Sequence, residues 1–254
     1  MKRDRGHGCG DTAGGIIVRM SALSIAVVGT DTGVGKTWVA GLLVQGLRHL
    51  GRAVWVHKPV ACGGWRENQA EDGRFWSTLV GDGQPPHSVC PRQYPEPCSP
   101  HLAARAAGAV PVLADYVLDL ERARPRNGAD FVVEGVGGLL VPLTADRETV
   151  ADLLLLAGLP LLLVTRPQLG TLNHTALTVE VARSRGLDVL GLVINEPEPV
   201  IDSLATRSVA EELSACTGVP VLAHLRHGEA SPACAQILAQ AVKQAGGGTG
   251  NGER

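Results

Sequence analysis

Short apolar runs recur along the chain: "SIAVVG" from Ser24, "AVWVHKP" from Ala53, "DFVVEG" from Asp130, "LPLLLVT" from Leu159, "VLGLVIN" from Val189 and "VPVLAHL" from Val219. Each has strand length and is apolar on consecutive positions, the pattern of a strand covered on both faces within a parallel sheet. The stretches 36–50, 113–123, 150–157, 171–185 and 203–217 between them read as helices. Strand and helix therefore alternate, which predicts an α/β fold with right-handed crossovers. The interval 61–111 breaks the pattern. Prolines at 85, 86, 91, 95, 97 and 100 forbid a long helix across it, and an irregular segment on the substrate side is expected there.

In open α/β sheets ligands bind beyond the carboxyl ends of the strands, so the residues that terminate each run are the informative ones. They are polar here: the loop 29–37, Lys58, Glu134, Thr165 and Asn195. The first run leads into "GTDTGVGKT" and then a helix. Successive backbone N–H groups in such a loop make a concave anion nest, and the helix directs its positive end at the same oxygens. Lys36 would reach the β- and γ-phosphates and Thr37 would offer its hydroxyl to Mg²⁺. Five residues, not the usual four, separate Gly29 from Gly35-Lys36, which makes this a variant P-loop. Mg²⁺ takes one or two carboxylates beside phosphate and water, and Glu134 and Asp72 are the candidates, the latter read as a loop residue. Lys58, held extended before Pro59, adds a second ammonium suited to a transferring phosphoryl group.

Composition narrows the class. With 254 residues, 23 basic and 25 acidic, the net charge of -2 creates no field to gather nucleic acid or an anionic membrane, so neither is an expected partner. The longest apolar candidate for a span, "LLLLAGLPLLLV" from Leu153, is interrupted by Gly158 and Pro160 and falls short of the roughly 18 to 20 residues needed. The leader has only 16–18 as an apolar run, too short for a secretory signal, and a cytoplasmic location is expected. The six cysteines lack any C-x-x-C pair and read as reduced thiols, while His7 and Cys9 alone do not make a metal site. The expected organisation is a flexible extension over 1–22, one domain over 23–243 and a disordered glycine-rich tail over 244–254.

Taken together, "GTDTGVGKT" (29–37), "KPVACGG" (58–64), "PEPCSPHLAA" (95–104), "VEGVGGLLVPL" (133–143), "LGTLNHTALT" (169–178) and "GLVIN" (191–195) resemble the dethiobiotin synthetase family over about residues 23–225. The resemblance implies a single-domain P-loop NTPase fold with a mostly parallel sheet and helices on both faces. It implies that 7,8-diaminopelargonate takes up CO2 as a carbamate, that ATP phosphorylates it, and that ring closure yields dethiobiotin, ADP and phosphate. It carries nucleotide binding to Gly33, Val34, Gly35, Lys36, Thr37, Trp38, Asp72, Glu134, Gly135, Val136, Gly137 and Asn195, the last toward adenine. Mg²⁺ would be held by Thr37, Asp72 and Glu134, and Lys36 and Lys58 would be catalytic. Substrate contact falls to Thr32, Lys58, Cys62, Gly137 and Asn173, with the helix start at "LGTLNHT" receiving the substrate carboxylate partly from the second subunit of a homodimer.

The chain departs from the family pattern at several points. Gly33 stands where many members carry glutamate, Cys62 where they carry serine or threonine, and Cys98 where they carry threonine; a thiol is a weaker donor than a hydroxyl. "LAHLRHGEA" lacks the dipeptide usual after the last strand, near the adenine side at 225–229. The chief rival is a P-loop ATPase switch of the partitioning or septum-positioning type. Those proteins carry a lysine early in the loop, where Asp31 stands, and often end in a basic amphipathic helix, where this chain has a glycine-rich tail. Related amide-forming or CoA-ester enzymes are disfavoured by "KPVACGG" and "PEPCSPH".

Overall fold

The computed structural model describes residues 22–229 and 231–247; the extension expected over 1–22 lies outside them except for Ala22, as does the tail from 248. In chain order the elements are β1 (Ser24–Gly29), α1 (Lys36–His49), β2 (Val54–His57), β3 (Ala61–Cys62), α2 (Glu71–Val80), α3 (Pro86–Val89), β4 (Gln93–Tyr94), α4 (Pro100–Ala106) and α5 (Leu113–Ala123). There follow β5 (Asp130–Gly138), α6 (Val150–Leu156), β6 (Leu161–Thr165), α7 (Thr171–Ser184), β7 (Val189–Asn195), α8 (Leu204–Thr217), β8 (Val221–Leu225) and α9 (Pro232–Gly247).

Six strands form one sheet in the order β2-β5-β1-β6-β7-β8, and every pairing within it is parallel. The consecutive apolar positions are explained by the two cores they feed. Ala26, Val28, Phe131, Val133, Leu161 and Leu163 point into one. Ile25, Val27, Val132, Leu162 and Val164 point into the other. Period-two alternation is thus present, but both faces are apolar because each is covered by helices. Helices α1 and α9 pack together on the second face. They approach so closely that a Cβ on Gly46 would stand 2.0 Å from the carbonyl oxygen of Ala235.

Two expectations need correction. The interval 61–111 is not simply irregular: ten residues of helix, α2, form before the first of its prolines, and Asp72 belongs to the first turn of that helix and not to a loop. Ala70 precedes it in an extended conformation, and the apolar positions Trp76 and Val80 fall four residues apart on its buried face. The proline argument holds only downstream of Val80. The C-terminal boundary also moves, since α9 runs through to Gly247 and the stretch 244–247 is helical.

Candidate active site

Strands β1, β2 and β5 lie side by side, so their carboxyl ends bring the P-loop, Lys58 and Glu134 to one rim of the sheet. The chain turns from β1 into α1 through Gly35, whose φ of 89° is left-handed and whose position leaves the helix without a side-chain cap. Among the described residues, no amide from Gly33 to Thr37 donates to another protein group, so the nest stays free to receive an anion. The fit of this loop against the sheet is tight. Asn195 at the end of β7 is buried and its Nδ2 donates to the Val34 carbonyl at 2.9 Å. A Cβ on Gly35 would come within 2.2 Å of that nitrogen.

At the end of the loop, five side chains converge. Lys58 Nζ donates to Glu134 Oε1 at 2.7 Å and lies 2.8 Å from Asp72 Oδ2. Thr37 Oγ1 stands 2.7 Å from the same Glu134 oxygen and 3.2 Å from Asp72 Oδ1. Trp76 closes the set, its indole N–H donating to Glu134 Oε2 at 2.6 Å. Burial alone would lower the pKa of Lys58, but the charges of Glu134 and Asp72 outweigh it and hold the ammonium above its ordinary range. Asp72, itself penalised by burial, is nonetheless pulled below the usual carboxylate range by Lys58 and by the bonds from Lys58 and Thr37. Lys36 is the contrast: burial lowers it to about 8, with Glu134 opposing and Lys58 reinforcing the shift. Its Nζ donates to the Asp31 carbonyl at 2.9 Å.

The cleft has a volume of about 580 Å³. It brings together Thr32, Gly33, Gly35, Lys36 and Thr37 from the loop with Lys58, Cys62, Asp72, Glu134, Val136 and Gly137. Its far wall is Pro97, Cys98, Ser99 and Pro100, which lead into α4. Burial pushes the Cys62 thiol up to about 12, so it enters the cleft as a neutral group. The remaining candidates lie elsewhere. Val34 is fully buried in the core and only its backbone serves the loop. A Cβ on Gly135 would face Val28 and Val150, so that residue belongs to the interior. Trp38 is half exposed beside Gly41 and Phe75, and Asn173 lines a separate groove with Leu169 and Leu172.

The donor set suits a hard cation. Among the described residues no three His, Cys, Asp or Glu side chains are grouped to hold a metal by themselves. Two carboxylates and a hydroxyl do converge, which matches Mg²⁺, an ion that completes its shell with phosphate oxygens and water. Reading the sequence missed Trp76 and Ser99. The signal for Trp76 was present in "EDGRFWSTLV", where it falls four residues after Asp72 and shares its helix face.

A family model described as an AAA domain matches residues 24–231. The chain is 45% identical over 185 residues to the ATP-dependent dethiobiotin synthetase BioD of Anaeromyxobacter dehalogenans (strain 2CP-C), covering 73% of this chain and 82% of that one. Against the protein of the same name from Bacillus velezensis it is 37% identical over 201 residues, 78% and 84% of the two chains. Among solved structures, the septum site-determining protein MinD complexed with Mg-ADP from Pyrococcus horikoshii superposes with a TM-score of 0.51 at 19% identity, covering 90% of this chain and 96% of that one. At that identity the likeness concerns the fold alone.

Proposed function

The chain belongs to the ATP-dependent dethiobiotin synthetase family, and from that premise we propose how its cleft binds Mg²⁺, ATP and the diamine and divides the chemistry among its side chains. The activity is ATP-dependent ring closure of 7,8-diaminopelargonate with CO2 to dethiobiotin in biotin biosynthesis, a ligase reaction. A nucleotide switch is not favoured, because the MinD-like neighbours are distant and speak only for the fold.

The free amides of 33–37 and the start of α1 cradle the phosphates, with Lys36 turning from the Asp31 carbonyl to the β- and γ-oxygens. Thr37, Asp72 and Glu134, which already converge, would hold Mg²⁺, and the ion would supply charge neutralisation for the phosphates. Lys58, kept as an ammonium by its two carboxylates, donates to the carbamate and to the oxygens of the group in transfer. Cys62, Gly137 and the wall at 97–100 bound the space for the diamine. Asn195 serves the nucleotide side indirectly as well as directly, since it fixes the Val34 carbonyl behind the loop. Asn173 would reach substrate from the second subunit of a homodimer, whose interface the exposed Leu169, just before α7, and Leu172 and Leu177 on that helix are suited to form. A cytoplasmic setting accords with the lack, among the described residues, of any helix long and apolar enough to cross a membrane.

The observation that carries this reading is the single carboxylate oxygen, Glu134 Oε1, that meets both the P-loop threonine and Lys58 at 2.7 Å. Purified protein supplied with ATP, Mg²⁺, bicarbonate and diaminopelargonate is expected to release one phosphate for each dethiobiotin formed. Phosphate release that ignores the diamine would instead identify a switch.

A further inference from the structure

Glu134 has a neighbour whose type neither nucleotide nor metal binding calls for. Trp76 is almost completely buried, and its one polar atom is spent on Glu134 Oε2 at 2.6 Å. A carboxylate is close to two-fold symmetric about its last torsion, and that torsion is broad for glutamate, so an unrestrained Glu134 could present either oxygen, or both. The indole removes that freedom. With Oε2 taken, only Oε1 faces Thr37 and Lys58.

The indole is itself held. Phe75 packs edge-on against it, with ring centroids 5.2 Å apart and planes at 79°. Phe75 in turn sits in the notch left by Gly41 of α1, where a Cβ would stand 2.7 Å from its ring. A continuous set of contacts therefore runs from the P-loop helix through Gly41, Phe75 and Trp76 to the carboxylate across the cleft. Asp72 is one turn earlier on α2, so a single short helix delivers both one carboxylate and the group that orients the other.

We propose that Trp76 is a positioning residue for the reaction: its N–H locks Glu134 in a one-oxygen presentation, and thereby sets the affinity of the site for the nucleotide-bound divalent cation. The proposal rests on the functional reading above for the presence of that cation. A hydrogen bond to a buried carboxylate is among the stronger ones, and its loss corresponds to about tenfold or more in an equilibrium constant.

The test replaces Trp76 in two ways, by Trp76→Phe and by the isosteric benzothienylalanine, which keeps the bicyclic shape and lacks the N–H. Mn²⁺ affinity is measured by electron paramagnetic resonance with a non-hydrolysable ATP analogue, alongside the Mg²⁺ dependence of turnover. Both variants are expected to bind Mn²⁺ about tenfold more weakly and to need correspondingly more Mg²⁺, with KM for the diamine unchanged. Mn²⁺ affinity in the benzothienylalanine protein within twofold of wild type would overturn the proposal. A wild type that binds Mn²⁺-nucleotide but makes no dethiobiotin would overturn the functional reading instead, and leave the Mn²⁺ comparison to decide the role of Trp76.

Discussion

Lys58→Met is the most informative single perturbation of the site, because it separates the electrostatics of the fold from those of catalysis. The attraction between Lys58 and Glu134 at 2.7 Å is about 6 kcal/mol at an effective dielectric constant of about 20. Most of that is consumed by desolvating two side chains that are 3% and 1% exposed. What the substitution measures is therefore not the pair's net worth but the cost of leaving Glu134 buried without its cation, typically about 3–5 kcal/mol. Thr37 and Trp76 still donate to that carboxylate, and Asp72, 39% exposed at its side chain, regains water, so the low end of about 3 kcal/mol applies. Urea unfolding in EDTA at neutral pH, followed by circular dichroism, reads this directly. Glu134→Gln strands less, since Lys58 keeps Asp72, and the doubly substituted chain should recover much of the combined loss. Two single effects that merely add, or a Lys58→Met cost below about 1 kcal/mol, would mean that the pair is hydrated in solution and that the electrostatic argument is wrong.

Two further outcomes follow from neighbouring residues. Burial holds His57 down to about 4, so the folded protein declines a proton that the unfolded chain accepts below about 6.5. The stability His57 contributes is full above that value and falls away as the pH drops toward 4. Wild type should lose about 2 kcal/mol more than His57→Gln between pH 7.5 and pH 5 in denaturant titrations, and parallel curves would refute the assignment. Gly35→Ala forces a Cβ into the left-handed region and onto Asn195 Nδ2, and about 2 kcal/mol or more of stability should go, together with ATP-analogue binding. Adding Asn195→Ala should restore only part of the thermal stability, because the backbone strain at Gly35 remains. A Gly35→Ala protein that melts with wild type would show the loop to be less tightly seated.

What could be read from the sequence divides along physical lines. The P-loop, Lys58 and Glu134 were legible because each terminates an apolar run, and a parallel sheet brings such ends to one rim by topology alone. Asp72 was legible as a residue but not as a position: the prolines that follow Val80 were allowed to speak for the segment before it, while the i, i+4 relation of Asp72 and Trp76 already marked a helix face. Trp76 stayed invisible as a site residue because a buried tryptophan at helical spacing looks like core, and only the direction of its N–H distinguishes it. Asn195 shows the same limit from the other side. Its strand-end placement pointed at ligand, and its amide proves to be engaged with the Val34 carbonyl of the P-loop.

The protonation states of the cleft bear on who can move a proton during ring closure. The attacking amine of the diamine must give one up, and a general base needs a pKa near the working pH together with a free lone pair. Lys58 has neither, since its two carboxylates keep it an ammonium; Asp72, drawn below the ordinary range, is a weak acceptor; and the Cys62 thiol is pushed up to about 12 and stays neutral. Lys36, lowered to about 8, is the one cleft amine near neutrality, but it lies at the P-loop, where bound phosphate oxygens would restore its charge. These side chains are therefore fitted to hold charge in place while it shifts between oxygens, and not to abstract protons. That restriction agrees with a phosphoryl transfer governed by positioning and electrostatics.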